Sequence, residues 1–300
     1  MTEPEQLAHA FEQHRSHLQR VAYAMLGSLT EAEDVVQETW LRLSRAEHPE
    51  EIRDLRAWLT TTVSRLALDA MSSARARREQ YVGPWLPEPL VTRAEPVAGA
   101  QPQPDPADRV TLDESISLAL LIVLERLSPA ERTAFLLHDV FGFSFEQVAE
   151  VTGRSAAAAR QLATRARRDV EAGRPRYPPT REQQVAITEA FAVACTEGDL
   201  GQLVALLDPD VVWRTDGGGR VNAARVIHHG ADKVARGMLA LAKRLPATAG
   251  YLADINGLPG LVLRAGDGQL SVIALTIDSD RIVAIDIVRN PDKLSGVPEP

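Results

Sequence analysis

The sequence predicts a multidomain protein in which two all-α domains precede an α+β domain. Apolar residues recur at helical spacing through residues 1–80 and again through residues 111–173. Four strand-like runs separated by Gly, Asp or Asn turns close the chain, inside an α+β region over residues 182–295. Proline-rich residues 81–110 and a short break at 174–181 predict the linkers between these three parts.

The composition is that of an ordinary globular chain, with 45% hydrophobic and 25% charged residues among 300. No apolar run reaches the length of a membrane span and the N-terminus lacks the layout of a secretion signal, so we expect a cytoplasmic protein. The single cysteine, Cys195, excludes an intramolecular disulfide and a cysteine-based zinc cluster. The net charge is −8, yet Arg65–Arg78 and Arg154–Arg176 are basic islands, which favours localised contact with phosphates.

The first domain is predicted to contain three helices. The first covers Leu7–Met25, and the second is predicted to begin with a capping box of Thr30 and Glu33. The third covers Leu55–Glu79 and becomes basic toward its C-terminus, where it carries more arginines than interaction with the helix dipole explains. The second helix leaves a mostly polar outer strip, made of Asp34, Gln37, Glu38, Leu41 and Arg42, and the basic end of the third carries Arg75, Arg77 and Arg78.

The second domain is predicted to end in a helix-turn-helix. Ser144 can cap one helix with Gln147 as its capping-box partner, Gly153 permits the turn, and Ser155 can cap the next helix. That helix turns small or apolar residues inward and presents a polar and basic face: Arg160, Gln161, Thr164, Arg165, Arg167 and Arg168. Such a face suits phosphates and base edges in a major groove, while the alternative is an ordinary solvated arginine-rich helix.

The third domain is predicted to run from helices through one strand and another helix into the four closing strands. Two surface motifs stand out there, Asp216-Gly217-Gly218-Gly219 and Asn290-Pro291-Asp292-Lys293-Leu294. Three glycines allow positive φ and close approach of another backbone, but they match no dinucleotide or P-loop pattern. A tight hairpin and a capped C-terminus are the alternative interpretation. In the first linker, Trp85, Leu86 and Pro87 form a stiff apolar motif that is too hydrophobic for a simple spacer.

Two segments together resemble the extracytoplasmic-function (ECF) sigma factors. Asp34–Leu43 followed by Leu55–Asp69 resembles their region 2, and Leu127–Arg168 resembles their region 4. The resemblance implies that the outer strip Asp34, Gln37, Glu38, Leu41 and Arg42 binds the β′ clamp helices of core RNA polymerase. It also implies that the loop 49–54 and Arg65, Asp69, Arg75, Arg77 and Arg78 read and open the promoter −10 element. The helix Ser155–Arg168 would read the −35 element.

Two departures from that family concern the readout of the promoter. Arg65 stands where family members often carry asparagine, so the contact with an unstacked base would differ. The recognition helix begins with four alanines, Ala156–Ala159, which offer only apolar contact, for instance to a thymine methyl. We therefore expect sequence readout to fall mainly on Arg160, Gln161 and Arg165.

The order of elements in the third domain resembles the SnoaL-like, nuclear-transport-factor-2-like cone. With the linker motif, the two surface motifs resemble an ECF subgroup whose SnoaL-like extension acts as a built-in regulator. The resemblance implies no cofactor and no metal, and it leaves open whether a small ligand occupies the cone.

Two other classes of function compete with this prediction. Some SnoaL-like domains are cyclases or isomerases, and Asp216, Asp254, His228 and His229 are nominal candidates for a catalytic base. No spacing in the sequence pairs them, so an enzyme is the less favoured interpretation. A transcription factor that acts without polymerase does not explain why the −10-reading and clamp-docking patterns occur together.

Overall fold

The structure is a computed structural model that describes residues 3–93 and 116–300. It divides into two compact units, Met1–Glu79 with Leu120–Gly173, and Gln80–Ala119 with Arg174–Pro300. Helices alone build the first unit, whereas helices and a sheet build the second. The predicted fold class, with all-α parts and an α+β part, is confirmed.

The first unit contains two sets of helices. The set nearer the N-terminus is α1 (Glu3–Leu26), α2 (Leu29–Ser44) and α3 (Leu55–Glu79). The later set is α4 (Leu118–Leu124), whose first residues belong to the second unit, with α5 (Pro129–Phe135), α6 (Phe145–Thr152) and α7 (Ala156–Gly173). The core of the unit is aliphatic, and its fully buried side chains include Leu18, Met25, Leu43, Leu59, Leu121 and Leu136.

The predicted cap of α2 is wrong by two residues. Ser28 has extended backbone angles and its side chain accepts a hydrogen bond from the Glu31 amide at 3.3 Å, so it is the N-cap. Thr30 lies inside the helix and cannot supply that geometry. Gly27 and Ser28 therefore provide both the break after α1 and the start of α2.

In the part of the second unit that the structure describes, three α-helices pack with a seven-stranded sheet. The helices are α8 (Arg181–Glu197), α9 (Leu200–Leu206) and α10 (Ala231–Arg244). The strands are β1 (Val91–Arg93), β2 (Leu207–Asp216), β3 (His228–His229), β4 (Ala247–Ile255), β5 (Leu258–Ala265), β6 (Leu270–Asp278) and β7 (Arg281–Val288). Their order is β1-β4-β5-β6-β7-β2-β3, and β2 and β7 are parallel neighbours.

Strand β1 comes from the segment that the sequence assigns to a linker. Val91 pairs with Ile255 and Arg93 with Ala253, so this segment extends the sheet edge beside β4. The β4–β5 turn is Asn256-Gly257, with φ of 49° and 78°, the geometry typical of a tight hairpin. Asn256 exchanges two hydrogen bonds with Leu90, which fixes the end of the linker segment on this turn.

Candidate nucleic-acid interface and linker dock

The helix-turn-helix is built by local capping. Ser144 and Gln147 form a reciprocal capping box at the start of α6, with N···O distances of 2.8 and 3.3 Å. Gly153 ends α6 at φ 66°, and Ser155 accepts from the Ala158 amide at 3.2 Å to begin α7. The inward side chains of α7 are buried, namely Ala159, Leu162 and Ala166. The predicted turn and caps are therefore present.

The outward face of α7 is polar and exposed. It presents Arg160, Gln161, Thr164, Arg165 and Arg168, whereas Arg167 is half-buried. The Arg160 guanidinium lies 4.9 Å from the centre of the Phe145 ring, across the turn. This contact holds the side chain near the start of α7, where a recognition helix meets base edges.

Three arginines of this face already have acidic partners, and the exposed Arg168 lies 3.7 Å from Asp169. Arg167 donates from two nitrogens to Asp139, one of them at 2.9 Å. Arg165 lies 3.4 Å from Glu131. Because these charges are partly matched within the unit, we expect their contribution to phosphate binding to be smaller than that of Arg160.

Two arginines of α3, Arg65 and Arg78, lie in different environments. Arg65 is exposed and donates to the backbone oxygen of Glu150 at 2.9 Å and to its carboxylate at 3.2 Å, so it contacts α6 of the helix-turn-helix. Arg78 is largely buried, where it contacts Glu125 and donates to the Leu26 backbone oxygen at 2.7 Å. Burial lowers the pKa of Arg78, and these contacts hold its guanidinium within the helical unit, while its predicted contact with DNA stays a prediction. Asp69 is exposed, while the side chains of Arg75 and Arg77 lie outside what the structure describes.

The outer strip of α2 is open to solvent. Asp34, Gln37 and Arg42 are exposed, and Glu38 and Leu41 are partly exposed. Glu38 pairs with Arg42 at 3.3 Å along the helix. The opposite face is buried and holds Ala32, Val35, Val36, Thr39 and Leu43. The strip can therefore change charge without disturbing the core.

In the second unit, three sequence motifs meet at one end of the sheet. Strands β2 and β7 are parallel and in register, so that Asp216 pairs with Val288 at their shared end. The Asp216 backbone oxygen accepts from the amides of Arg289 and Asn290, at 2.7 and 3.0 Å. We call the cluster formed there the linker dock; it comprises Tyr81, Trp85, Leu86, Asp216, Asn290 and Lys293.

Asp216 is the centre of the linker dock. Its fully buried carboxylate accepts from the Tyr81 hydroxyl at 2.7 Å, from the Leu86 amide at 2.9 Å and from the Gly218 amide at 3.0 Å. Lys293 completes the set at 2.8 Å. A buried carboxylate is tolerated only with such partners, and the linker supplies two of the four groups that bind Asp216.

Lys293 binds the linker in three ways. Its ammonium group donates to the Leu86 backbone oxygen at 2.5 Å and lies 4.1 Å from the centre of the Trp85 ring. The Tyr81 ring lies 5.2 Å away. Burial and the hydrogen bond to Asp216 raise the pKa of Tyr81, so its hydroxyl remains a donor at neutral pH. The pair Asp216–Lys293 therefore holds the linker by charge, hydrogen bonds and cation–π contact.

The glycines of the Asp216 loop make room for the dock. Gly218 has φ 61°, and a Cβ there would lie 2.4 Å from the Asn290 amide nitrogen. Gly219 has φ 70°, and a Cβ there would lie 3.3 Å from Val82 of the linker. A side chain at Gly218 would therefore require both an unfavourable backbone and displacement of Asn290.

Two contributors, Tyr81 and Val82, are missing from the site residues that the sequence predicts. Tyr81 opens the linker motif and binds both Asp216 and the Asn290 amide, the latter at 2.9 Å. Val82 faces the glycine loop. The signal available for both is their position in the same proline-rich stretch as Trp85, Leu86 and Pro87. Pro291 opens a 3₁₀ turn that Asn290 caps through the Asp292 amide, and Leu294 is buried.

The nominal catalytic bases have separate partners. Asp216 serves the linker dock, Asp254 on β4 contacts Arg181, and His228 stacks on Trp213 at 4.7 Å between ring centres. His229 is exposed.

Among residues 3–93 and 116–300, no group of three or more acidic, histidine or cysteine side chains could hold a metal ion. Within the same residues, no helix is both long and apolar enough to span a bilayer.

Comparisons with known proteins match the two sets of helices separately and nearly the whole chain together. Residues 10–77 match the model for Sigma-70 region 2, and residues 117–170 match that for Sigma-70, region 4. The chain is 42% identical to the ECF RNA polymerase sigma factor SigJ of Mycobacterium tuberculosis, over 96% of this chain and 93% of that protein. It is 37% identical to the probable ECF RNA polymerase sigma factor SigI of the same species, over 98% and 97%. The crystal structure of M. tuberculosis SigJ matches with a TM-score of 0.77 at 38% identity, over 97% of this chain and 99% of that one.

Proposed function

We propose that this chain, which belongs to the family of ECF RNA polymerase sigma factors, is regulated through its linker dock. As a sigma factor it binds core RNA polymerase and directs it to promoters. The observation that carries the proposal is the buried Asp216–Lys293 pair, three of whose four hydrogen-bonding partner groups come from residues 81–86. Burying an ion pair costs desolvation free energy unless its hydrogen bonds are satisfied. This cost favours a specific role for the pair over non-specific packing of the linker.

The polymerase surface in this proposal is the outer strip of α2. Its five side chains are available to a partner while the inner face of the helix holds the core. Acidic and amide groups there complement a basic helical surface, such as the β′ clamp helices would present. The strip therefore supports docking through charge rather than through apolar burial.

The promoter surfaces in this proposal are the loop 49–54, the exposed part of α3 and the outward face of α7. In the described arrangement Arg65 binds Glu150, so the α3 face contacts the helix-turn-helix instead of being free for DNA. We propose that this contact opens when the two promoter elements are read. Because the Arg65–Glu150 ion pair is exposed, it is weak, and breaking it costs little free energy.

The C-terminal domain acts in this proposal by binding and not by catalysis. When residues 81–86 undock, Asp216 and Lys293 lose the hydrogen bonds that the linker donates and accepts, and only solvent and their own pairing replace them. The docked and undocked states therefore differ in free energy. Polymerase, promoter DNA or a small ligand shifts the balance by binding one state better. The separate partners of Asp254, His228 and Asp216 support this interpretation over an acid–base site.

The polymerase surface is tested by reversing charge at Asp34 and Glu38 together. The double lysine variant should no longer co-elute with core polymerase, while its free energy of unfolding stays within about 0.5 kcal/mol of the original. The matched control reverses the exposed Glu182 and Glu189 on α8, which gives the same change in net charge in the other unit. Equal loss of binding in both variants, or full binding in both, would remove the α2 strip from the polymerase interface.

A further inference from the structure

A large cavity lies inside the second unit, beside its hydrophobic core. Its volume is about 640 Å³, and it lies between helices α8 and α10 and strands β5 to β7. Protein cores leave few voids larger than a water molecule, whose share of the liquid is about 30 Å³. Pockets of roughly 300–1,000 Å³ are the size that encloses a small organic ligand. The cavity is therefore far larger than a packing defect.

The inner wall of the cavity is apolar. Buried Phe191, Met238, Leu261, Ile273 and Ile287 line it, and all five also belong to the core of the unit. The exposed lining residues include Glu197, Lys243 and Pro246, which places the mouth near the ends of α8 and α10. Because the mouth carries one acidic and one basic side chain, it favours neither an anionic nor a cationic ligand. The apolar wall therefore dominates recognition.

One buried cation lines the cavity, and its charge is already matched. Arg289 is 3% exposed and donates from Nη2 to both carboxylate oxygens of Asp267, at 2.8 and 3.0 Å. It also donates to Ser271 at 3.1 Å and to the Asn222 backbone oxygen at 2.8 Å. An anionic ligand would have to compete with Asp267, whereas a neutral acceptor can receive a hydrogen bond from the Ser271 hydroxyl.

From these features we infer that the cavity binds an uncharged, largely apolar small molecule that carries a hydrogen-bond acceptor at the end near Ser271 and Arg289. The inference deepens the regulatory role proposed above and rests on it for its biological meaning. Arg289 also connects the site to the linker dock, since its backbone amide binds Asp216 and the next residue is Asn290. A ligand that contacts the Arg289 side chain would therefore lie one residue along the chain from Asn290 of the linker dock.

The binding test uses Nile red, which is neutral, apolar and carries a carbonyl, with the full chain free of polymerase and DNA. Ala242→Phe fills the cavity from α10, and the matched control Ala240→Phe adds the same ring at an exposed position of the same helix. Nile red should bind the original chain and Ala240→Phe alike, and Ala242→Phe at least about tenfold more weakly. Anilinonaphthalene sulfonate, an anion, should not displace it. Equal binding to all three chains, no binding to any, or displacement by the anion at equal concentration would overturn the inference.

A second measurement needs no variant, in case Ala242→Phe does not fold. Cys195 lines the cavity and is the one cysteine of the full sequence. Burial raises its pKa to about 12, so the thiol reacts slowly and its rate is easy to follow with methyl methanethiosulfonate. Saturating Nile red should slow this reaction at least about fivefold by covering the sulfur. An unchanged rate would show that the dye binds elsewhere.

The connection to the dock is tested by amide hydrogen exchange. Saturating Nile red should change the exchange rate of the Leu86 amide in the original chain but not in Ala242→Phe. Binding without any change at Leu86 would overturn the connection through Arg289. Because these assays contain neither polymerase nor promoter, their failure would leave the proposed sigma-factor regulation to be judged by transcription alone.

Discussion

Replacing Lys293 by methionine removes the ammonium group from the linker dock while keeping most of the aliphatic side chain. Lys293 is 11% exposed and Asp216 is 0% exposed, so the change leaves a buried carboxylate without its cation. Removing one partner of a buried ion pair costs about 3–5 kcal/mol. The three remaining donors to Asp216 favour the lower end of that range.

The assay for this loss is hydrogen exchange at the Leu86 amide, which donates to Asp216 at 2.9 Å. Since each 1.4 kcal/mol is about a factor of ten, exchange there should quicken roughly a hundredfold or more. Lys233→Met is the matched control, because it makes the same change at an exposed lysine of α10. Adding Asp216→Asn to the Lys293→Met chain should restore part of the protection, since it removes the unpaired charge.

Equal exchange at Leu86 in Lys293→Met and Lys233→Met would refute the reasoning. So would a double variant no better protected than Lys293→Met alone, because the cost would then not come from the isolated charge on Asp216. Either result would leave the linker held by its strand pairing and not by the ion pair.

Three further predictions concern the first unit. Glu150→Lys should release Arg65 and raise promoter affinity by up to about fivefold, since an exposed ion pair is worth about 0–1 kcal/mol. Arg160→Ala should lower the slope of log binding constant against log salt by about one, and Arg167→Ala by clearly less, as measured by fluorescence anisotropy. Burial lowers the pKa of His17 from 6.5 to about 4. Neutral His17 therefore contributes stability above pH 6.5 that is lost as the pH falls toward 4. His17→Gln should reduce the loss of stability between about pH 7 and pH 5 by about 1 kcal/mol after allowance for solvent screening, as measured by denaturant unfolding.

Local signals in the sequence predicted much of this structure. Capping residues such as Ser144 and Ser155 act on backbone amides within three positions, so their geometry can be read from short segments. The turn at Gly153 is local for the same reason. The cap at Ser28 was missed because Thr30 and Glu33 fit the same pattern, and only the backbone angles distinguish them.

The remaining features depend on contacts between distant parts of the chain. Asp216 and Asn290 meet because β2 and β7 are parallel and end in register, which their separate sequences do not encode visibly. Within the described residues strand β1 covers Val91–Arg93, and it forms because β4 offers it an edge. The environment of Arg78 likewise depends on Glu125, which lies in the turn after α4, whereas the basic run around Arg78 predicts DNA contact.

The central claim is that the linker dock sets promoter activity without controlling attachment to polymerase. The most direct measurement is transcription in vitro with purified core polymerase, on a promoter selected from a random library by the original chain. Lys293→Met and a chain ending at Arg289 should both bind core polymerase as the original does, yet change transcript yield by at least about fivefold, because a loss of about 3 kcal/mol of docking free energy moves the balance between docked and undocked states by about two orders of magnitude. Lys233→Met should leave the yield unchanged. Yields equal to the original for both dock variants, at equal polymerase binding, would contradict the account.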